Sequence, residues 1–324
     1  MRAGLARRGT GRTTAYRPSG TPVATHDGPP LPWSLAGRDQ AAADEDDPCA
    51  GLGHDRARWA RLQSSLLGGG DHLAPDRALA EQLMAVDPLT VAMARSSRAF
   101  AAASAADFAR QGIDQYLVLG CGYPMPASTP VHDVVLAHQP AARIVYSDAD
   151  VSVMAHARAL LTAPAPAAIR YLHVDLTVPD SLASSLRSLS VLDLDRPVAL
   201  ILADVLQQLT DEQAHQAVAL LHGLVSVGSV LTVSHQTLDR ANVPIGRELE
   251  LTYRSAGIAY YPRTGASLAS LLSDWQLQRT GITELDLLSH AEVGRATPHG
   301  ASSYGATARK GVPVTSVPTG WGPQ

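Results

Sequence analysis

Two rhythms of apolar positions run along the 324-residue chain. From Arg56 to Gln111 apolar residues recur at helical spacing, and from Tyr116 onward short apolar runs alternate with helical stretches. The first helical stretch, Arg56 to Leu67, stops at Gly68, Gly69 and Gly70. A second opens at Pro75 and Asp76, where a first turn tolerates proline, and carries Leu79, Leu83, Met84 and Val86 before Pro88 ends it. A third runs from about Leu89 to Gln111, with Gly112 placed to close it.

The alternating part begins with Tyr116 to Leu119, a fully apolar run of the kind that forms a buried parallel strand. Further strands are expected at Arg143–Ser147, Ala168–Val174, Pro197–Leu202 and Ser229–Ser234. Helices are expected at Val131–Gln139, Val151–Leu161 (capped by Asp150), Pro179–Leu189 and Glu212–Leu224 (capped by Asp211). Gln236 to Tyr261 is less regular; a helix over Thr264–Asp274 and strands over Trp275–Thr280 and Ser303–Arg309 follow. Strand–helix units of about 30 residues imply a parallel sheet with right-handed crossovers. The expected fold is therefore α/β, a doubly wound, seven-stranded, mostly parallel Rossmann-like sheet with an antiparallel edge. Residues 1–52 read as a disordered extension, 53–112 as a helical cap, 113–311 as the sheet domain and 312–324 as a flexible tail.

Composition narrows the function. A formal net charge of −4 supplies no global field for nucleic acid. No apolar run approaches the roughly 18 residues of a membrane span, and no apolar segment follows the basic start as a secretory signal requires. The two cysteines, Cys49 and Cys121, lie far apart and offer neither a disulfide framework nor zinc spacing, which suits a reducing cytoplasm. The 12 histidines show no paired spacing with a carboxylate, so no metal is expected.

The candidate chemistry sits at strand ends, the edge where open α/β sheets bind ligands. Gly120, Cys121 and Gly122 follow the first strand, and glycines let a ligand approach the backbone. Asp148 closes the second strand, Asp175 the third, and Ala203 with Asp204 the fourth. A carboxylate after strand two is placed to accept from both hydroxyls of a ribose, and one after strand three from an adenine amino group. A dinucleotide fingerprint wants a third glycine where Met125 stands between Pro124 and Pro126, so a pyrophosphate-bearing ligand fits poorly. An adenosine with a compact charged tail, such as S-adenosylmethionine, fits better. His235 ends strand five and is a candidate general base for an acceptor, with a hydrogen-bonded turn histidine as the plainer alternative. Asp204 is a candidate acceptor-side acid, and Cys121 reads as a small packing residue.

Four blocks of the chain resemble an actinobacterial S-adenosylmethionine-dependent methyltransferase family once classed as a domain of unknown function. They are ARLQSSLLGGGDHLAPDRALAEQ; SSRAF with YLVLGCGYPM; RIVYSDADVSVMAHARALL; and RPVALILADVLQQL with GSVLTVSHQT. SYGATARK is similar to the family's closing strand. The resemblance implies a class I methyltransferase fold whose LLGGGDH segment folds over the cofactor. It assigns Gly120 and Gly122 to the methionine portion, Asp148 to the ribose, Asp175 with Leu176 to the adenine, and Gly68, Gly69, Asp71 and Arg98 to the cap side, with Cys121, Ala149 and Ala203 as further cofactor-binding candidates beside them. It also exposes departures: Val118 stands where the family has an acid, Gln63, Ser64 and Ser65 where a tyrosine-bearing segment is expected, Gly70 for a lysine and Gln207 for a histidine. The expected activity is methyl transfer from S-adenosylmethionine to a small molecule, with neither nucleic acid nor membrane as partner. The alternative is a methyltransferase fold that has lost catalysis and serves a binding or regulatory role.

Overall fold

The computed structural model describes residues 53–125, 128–285 and 300–312. The expected disordered extension over 1–52, Cys49 within it, and the tail beyond Val312 lie outside the described residues. Seven strands form one sheet: β1 Gln115–Leu119, β2 Arg143–Asp148, β3 Ala168–His173, β4 Ala199–Ala203, β5 Val230–Thr237, β6 Gln276–Glu284 and β7 Ser302–Arg309. Their order is β3-β2-β1-β4-β5-β7-β6. Strands β1 to β5 run parallel, and β7 lies antiparallel between β5 and β6. The antiparallel strand is therefore internal and β6 is the edge, which corrects the expected antiparallel edge.

Nine helices appear among the described residues: α1 Trp59–Leu66, α2 Ala74–Val86, α3 Thr90–Arg110, α4 Val131–Leu136, α5 Val151–Leu160, α6 Pro179–Leu189, α7 Asp211–Leu224, α8 Val243–Ser255 and α9 Gly265–Leu271. Alternate strand residues face opposite layers, as the two-residue period of a strand requires. Leu117, Leu119, Leu200, Leu202, Leu231 and Val233 pack with Leu182, Leu186, Val218, Leu221 and Leu268 of α6, α7 and α9. Tyr116, Val118, Ile144, Tyr146 and Ile201 pack with Ala105, Phe108, Val135 and Met154 of α3, α4 and α5. The sheet is thus covered on both faces, as the uninterrupted apolar runs of β1 and β4 demand.

Local signals explain the helix ends. Asp150 caps α5, accepting from Ser152 N at 2.8 Å. Gly112, at φ 91°, closes α3, and Ile113 N donates to Phe108 O at 3.1 Å. Helix α7 is capped by Thr210 rather than by the expected Asp211: Thr210 Oγ1 and Gln213 form a reciprocal capping box, which frees Asp211 to pair with Arg263.

A third cluster forms the cap. Leu62 and Leu66 of α1, Leu79 and Leu83 of α2, Met93 of α3 and Leu249 and Tyr253 of α8 are buried together. The expected 53–112 cap is thereby redrawn. The start of α3 belongs to it, the rest of α3 lies on the sheet, and α8, from a stretch expected to be irregular, completes it. A buried ion pair fixes its geometry: Arg61 Nε donates to Asp76 Oδ2 at 2.8 Å, and Asp76 also accepts from Arg58 N and Leu73 N.

Candidate functional site

The glycine turn after β1 is built as a recess. Gly120 and Gly122 have φ of 61° and 63°, the left-handed region that side chains disfavour. A Cβ on Gly120 would lie 2.5 Å from Val205 Cγ2, and one on Gly122 2.8 Å from Arg98 Nη2. Cys121 N donates to Ser147 O at 3.0 Å, holding the turn against β2. Burial and the neighbouring Asp148 push the Cys121 thiol well up, so it stays protonated and packs between the glycines rather than acting as a nucleophile.

Asp148 faces that turn. Its Oδ2 accepts from Gly122 N at 2.9 Å and its Oδ1 from Asp150 N at 3.0 Å. Burial raises its pKa, and the backbone donors oppose the rise. Each carboxylate oxygen retains a lone pair for a further donor. Strands β2 and β3 pair Asp148 with His173, and Val174 N donates to Asp148 O at 3.1 Å. Asp175, two residues on, therefore shares one rim with Asp148. Asp175 is exposed, its Oδ1 accepting from Thr177 N at 2.8 Å, while the next residue, Leu176, is buried. Ala149 is exposed, and its carbonyl accepts from His173 Nε2 at 2.9 Å.

Arg98 reaches this rim from α3. Its guanidinium lies against Gly122, and Nη1 donates to Tyr123 O at 3.4 Å. Among the described residues it forms no ion pair within 4.0 Å. Burial lowers its pKa, opposed by the nearby carboxylates of Asp204 and Asp148. A desolvated cation with most of its donors unused, beside a recessed glycine turn, is a receptor for an anionic group.

Ala203, the last residue of β4, packs against the α3–α5 layer, and Asp204 after it is buried. Asp204 has a φ of 55°, rare for a residue with a side chain. Its N–H is held by Ser234 O at 3.2 Å and Ser234 Oγ at 3.1 Å, and its Oδ1 accepts from Ser97 Oγ at 3.0 Å. Burial raises its pKa to about 6, opposed by Gln207, Ser97 and Arg98. Gln207 stands beside the carboxyl group, yet neither of its amide atoms makes a hydrogen bond of good geometry.

His235 does not end its strand. β5 continues to Thr237, and His235 is fully buried opposite Tyr304 of β7. Its Nε2 lies 3.1 Å from Arg263 Nη1, which can only donate, so the ring proton sits on Nδ1 and is given to Gln236 O at 2.7 Å. Burial lowers its pKa to about 4. With both nitrogens engaged, the ring orients Arg263, whose other donors bind Asp211, Leu206 O and Leu209 O.

The cap segment meets the rim. Gly69 is packed so closely that a Cβ would lie 2.4 Å from Met125 Cε, so the methionine occupying the third-glycine position fills space beneath the cap. Gly68, at φ 76°, makes the preceding bend. Asp71 Oδ1 lies 3.3 Å from His156 Nε2 of α5, and Arg58 Nη1 lies 3.6 Å from Asp150 Oδ2. Sequence reasoning missed Tyr253 and Tyr260, stacked at 4.1 Å near Asp204, because helix α8 went unrecognised. Its signals were Asn242, which caps it at 2.9 Å from Ile245 N, and Pro244 in its first turn. Among the described residues no histidine, cysteine or carboxylate cluster could hold a metal, and no helix is long and apolar enough to cross a membrane.

No curated protein matches the chain. Among the solved structures similar to it are two from actinobacteria. A DUF574 family protein from Streptomyces avermitilis is 27% identical with a TM-score of 0.71, covering 79% of this chain and 98% of its own. A candidate methyltransferase from Thermobifida fusca is 25% identical with a TM-score of 0.71, covering 82% of this chain and 99% of its own. The profile of one family spans residues 46–311, most of the chain and all of the rim described above. The chain therefore belongs to the S-adenosyl methyltransferase family.

Proposed function

We propose that this protein transfers a methyl group from S-adenosylmethionine to a small molecule. The observation that carries the reading is the Arg98 guanidinium, lodged against Gly122 beside Asp148 with no ion-pair partner among the described residues. That arrangement fits the cofactor's carboxylate, with the glycine turn under its methionine portion. Asp148 would accept from the ribose hydroxyls, and Asp175 with Leu176 would border the adenine. When bound, the cofactor supplies a methyl group made electrophilic by its sulfonium. The chain's own work is alignment and exclusion of water, which the cap segment from Gly68 to Asp71 performs. A small acceptor is favoured over nucleic acid by the net charge of −4.

Titration calorimetry tests this. S-adenosylmethionine should saturate the protein, and Arg98→Ala and Asp148→Ala should each weaken binding by at least about tenfold, the loss of one charge-assisted contact. No heat at millimolar cofactor overturns the reading. The competing reading, binding without transfer, is favoured by Val118, which is buried among Tyr116, Tyr146 and Ile201 where the family resemblance leads one to expect an acid. Saturable binding without methyl transfer to any acceptor would support that second reading.

A further inference from the structure

We infer that Asp204, Gln207, Tyr253 and Tyr260 form the acceptor site, and that it takes an uncharged planar aromatic molecule bearing an O–H or N–H. The inference rests on the methyl-transfer reading for its chemistry, but its geometry stands apart from the cofactor rim. Four buried polar atoms here make no hydrogen bond of good geometry: Gln207 Oε1 and Nε2, Tyr253 Oη and Tyr260 Oη. Native proteins leave few such atoms, because each costs about 1–3 kcal/mol. Four together mark a place where a ligand supplies the missing partners.

The Asp204 charge acts on both tyrosine hydroxyls, and the Gln207 amide lies beside it. Tyr261 N donates to Gln207 O at 2.7 Å, which fixes the 260–261 segment against the turn after β4. Asp204 is held there in a left-handed backbone conformation, the kind of strain that persists where the surrounding structure enforces it at a working site. Ser97 holds one of its carboxyl oxygens, and Arg98 is the next residue of the same helix. The acceptor site and the cofactor rim therefore adjoin.

The aromatic part follows from the rings. Trp59 and Tyr253 have centroids 5.9 Å apart at 30°, and Tyr253 and Tyr260 have centroids 4.1 Å apart at 21°. Tyr260 is half-buried, and its stack on Tyr253 is the packing that a flat aromatic molecule would extend. The charges exclude an anion, because Asp204 is a carboxylate and Arg98 is committed to the cofactor, and the reaction excludes a protonated amine, which has no free electron pair for the methyl carbon. The transfer then balances. The acceptor's heteroatom gives the electron pair of the new bond to the methyl carbon, the carbon–sulfur pair leaves with sulfur, and the acceptor's proton passes to the Asp204 carboxylate.

The test is saturation-transfer NMR with phenol and 8-hydroxyquinoline, against cyclohexanol and the anionic benzoate, each with and without S-adenosylhomocysteine. Both aromatic hydroxyl probes should bind, and cyclohexanol and benzoate should bind at least about tenfold more weakly. Tyr260→Ala and Gln207→Leu should each weaken probe binding by at least about fivefold, while the affinity for S-adenosylhomocysteine changes less than about twofold. Equal binding of all four probes, or equal probe binding by the wild type and by variants that keep their cofactor affinity, overturns the inference. Failure of S-adenosylhomocysteine to bind the wild type would instead overturn the function proposed above, since the probes are also read without it.

Discussion

A methyl group added at residue 122 would collide with the guanidinium that gives the rim its charge. Gly122→Ala places a Cβ 2.8 Å from Arg98 Nη2 at a φ of 63°. The backbone strain alone costs about 1–2 kcal/mol, and Arg98 must also shift. S-adenosylmethionine affinity should fall by at least about tenfold while the protein stays folded, which calorimetry and circular dichroism check together. Asp204 yields an opposite kind of prediction. Its pKa of about 6 in the fold exceeds the ordinary 3.8, so the folded state holds its proton more tightly than the unfolded chain does. The stability this contributes is complete below about pH 4 and is lost as pH rises through about 6. Asp204→Asn should therefore leave stability at pH 4 nearly unchanged and raise it at pH 8 by roughly 2 kcal/mol, seen as a higher melting temperature only at the higher pH. Residues placed by a local pattern were legible: Gly120 and Gly122 follow the strand that the apolar run Tyr116–Leu119 announces by itself, and Asp148 ends the next, announced by Ile144 to Tyr146. His235 was not, because whether it ends β5 or lies within it depends on pairing with Tyr304, a partner 69 residues away in sequence.

At the scale of elements, the strands and most helices were legible because each repeats one period long enough to declare itself. Helix α8 escaped because Arg247, Glu248, Glu250 and Arg254 interrupt its apolar face, and only Leu249, Thr252 and Tyr253 of its later turns are buried. Packing against α1, α2 and α3 decides that helix, and no stretch of sequence around it displays that surface. The cap's rigidity depends on a pair that burial makes costly to break. Asp76 is fully buried and Arg61 nearly so, and Arg61 Nη2 also donates to Gly53 O at 2.8 Å and Arg56 O at 2.6 Å. Asp76→Ala leaves the guanidinium without its carboxylate and Arg58 N and Leu73 N without their acceptor. Urea denaturation should show a loss of about 3–5 kcal/mol, and cofactor affinity should fall with it as the cap loosens.

For the whole molecule, strand–helix alternation foretold that β1 to β5 run parallel, since each pair is joined by a helical crossover. It could not foretell that the last strand would lie inside the sheet. β7 pairs with β5 along Val230–Thr237 and with β6 on its other side. Its start is tied to the cap as well, where Asp87 Oδ2 accepts from Ala301 N at 2.6 Å. This layout sets the timetable of biosynthesis. A ribosome must reach residue 309 before β5 gains its second neighbour, so the nascent chain carries a fully apolar-flanked strand with one open ladder through the translation of some seventy codons, a template for pairing with other chains until the final segment slots in.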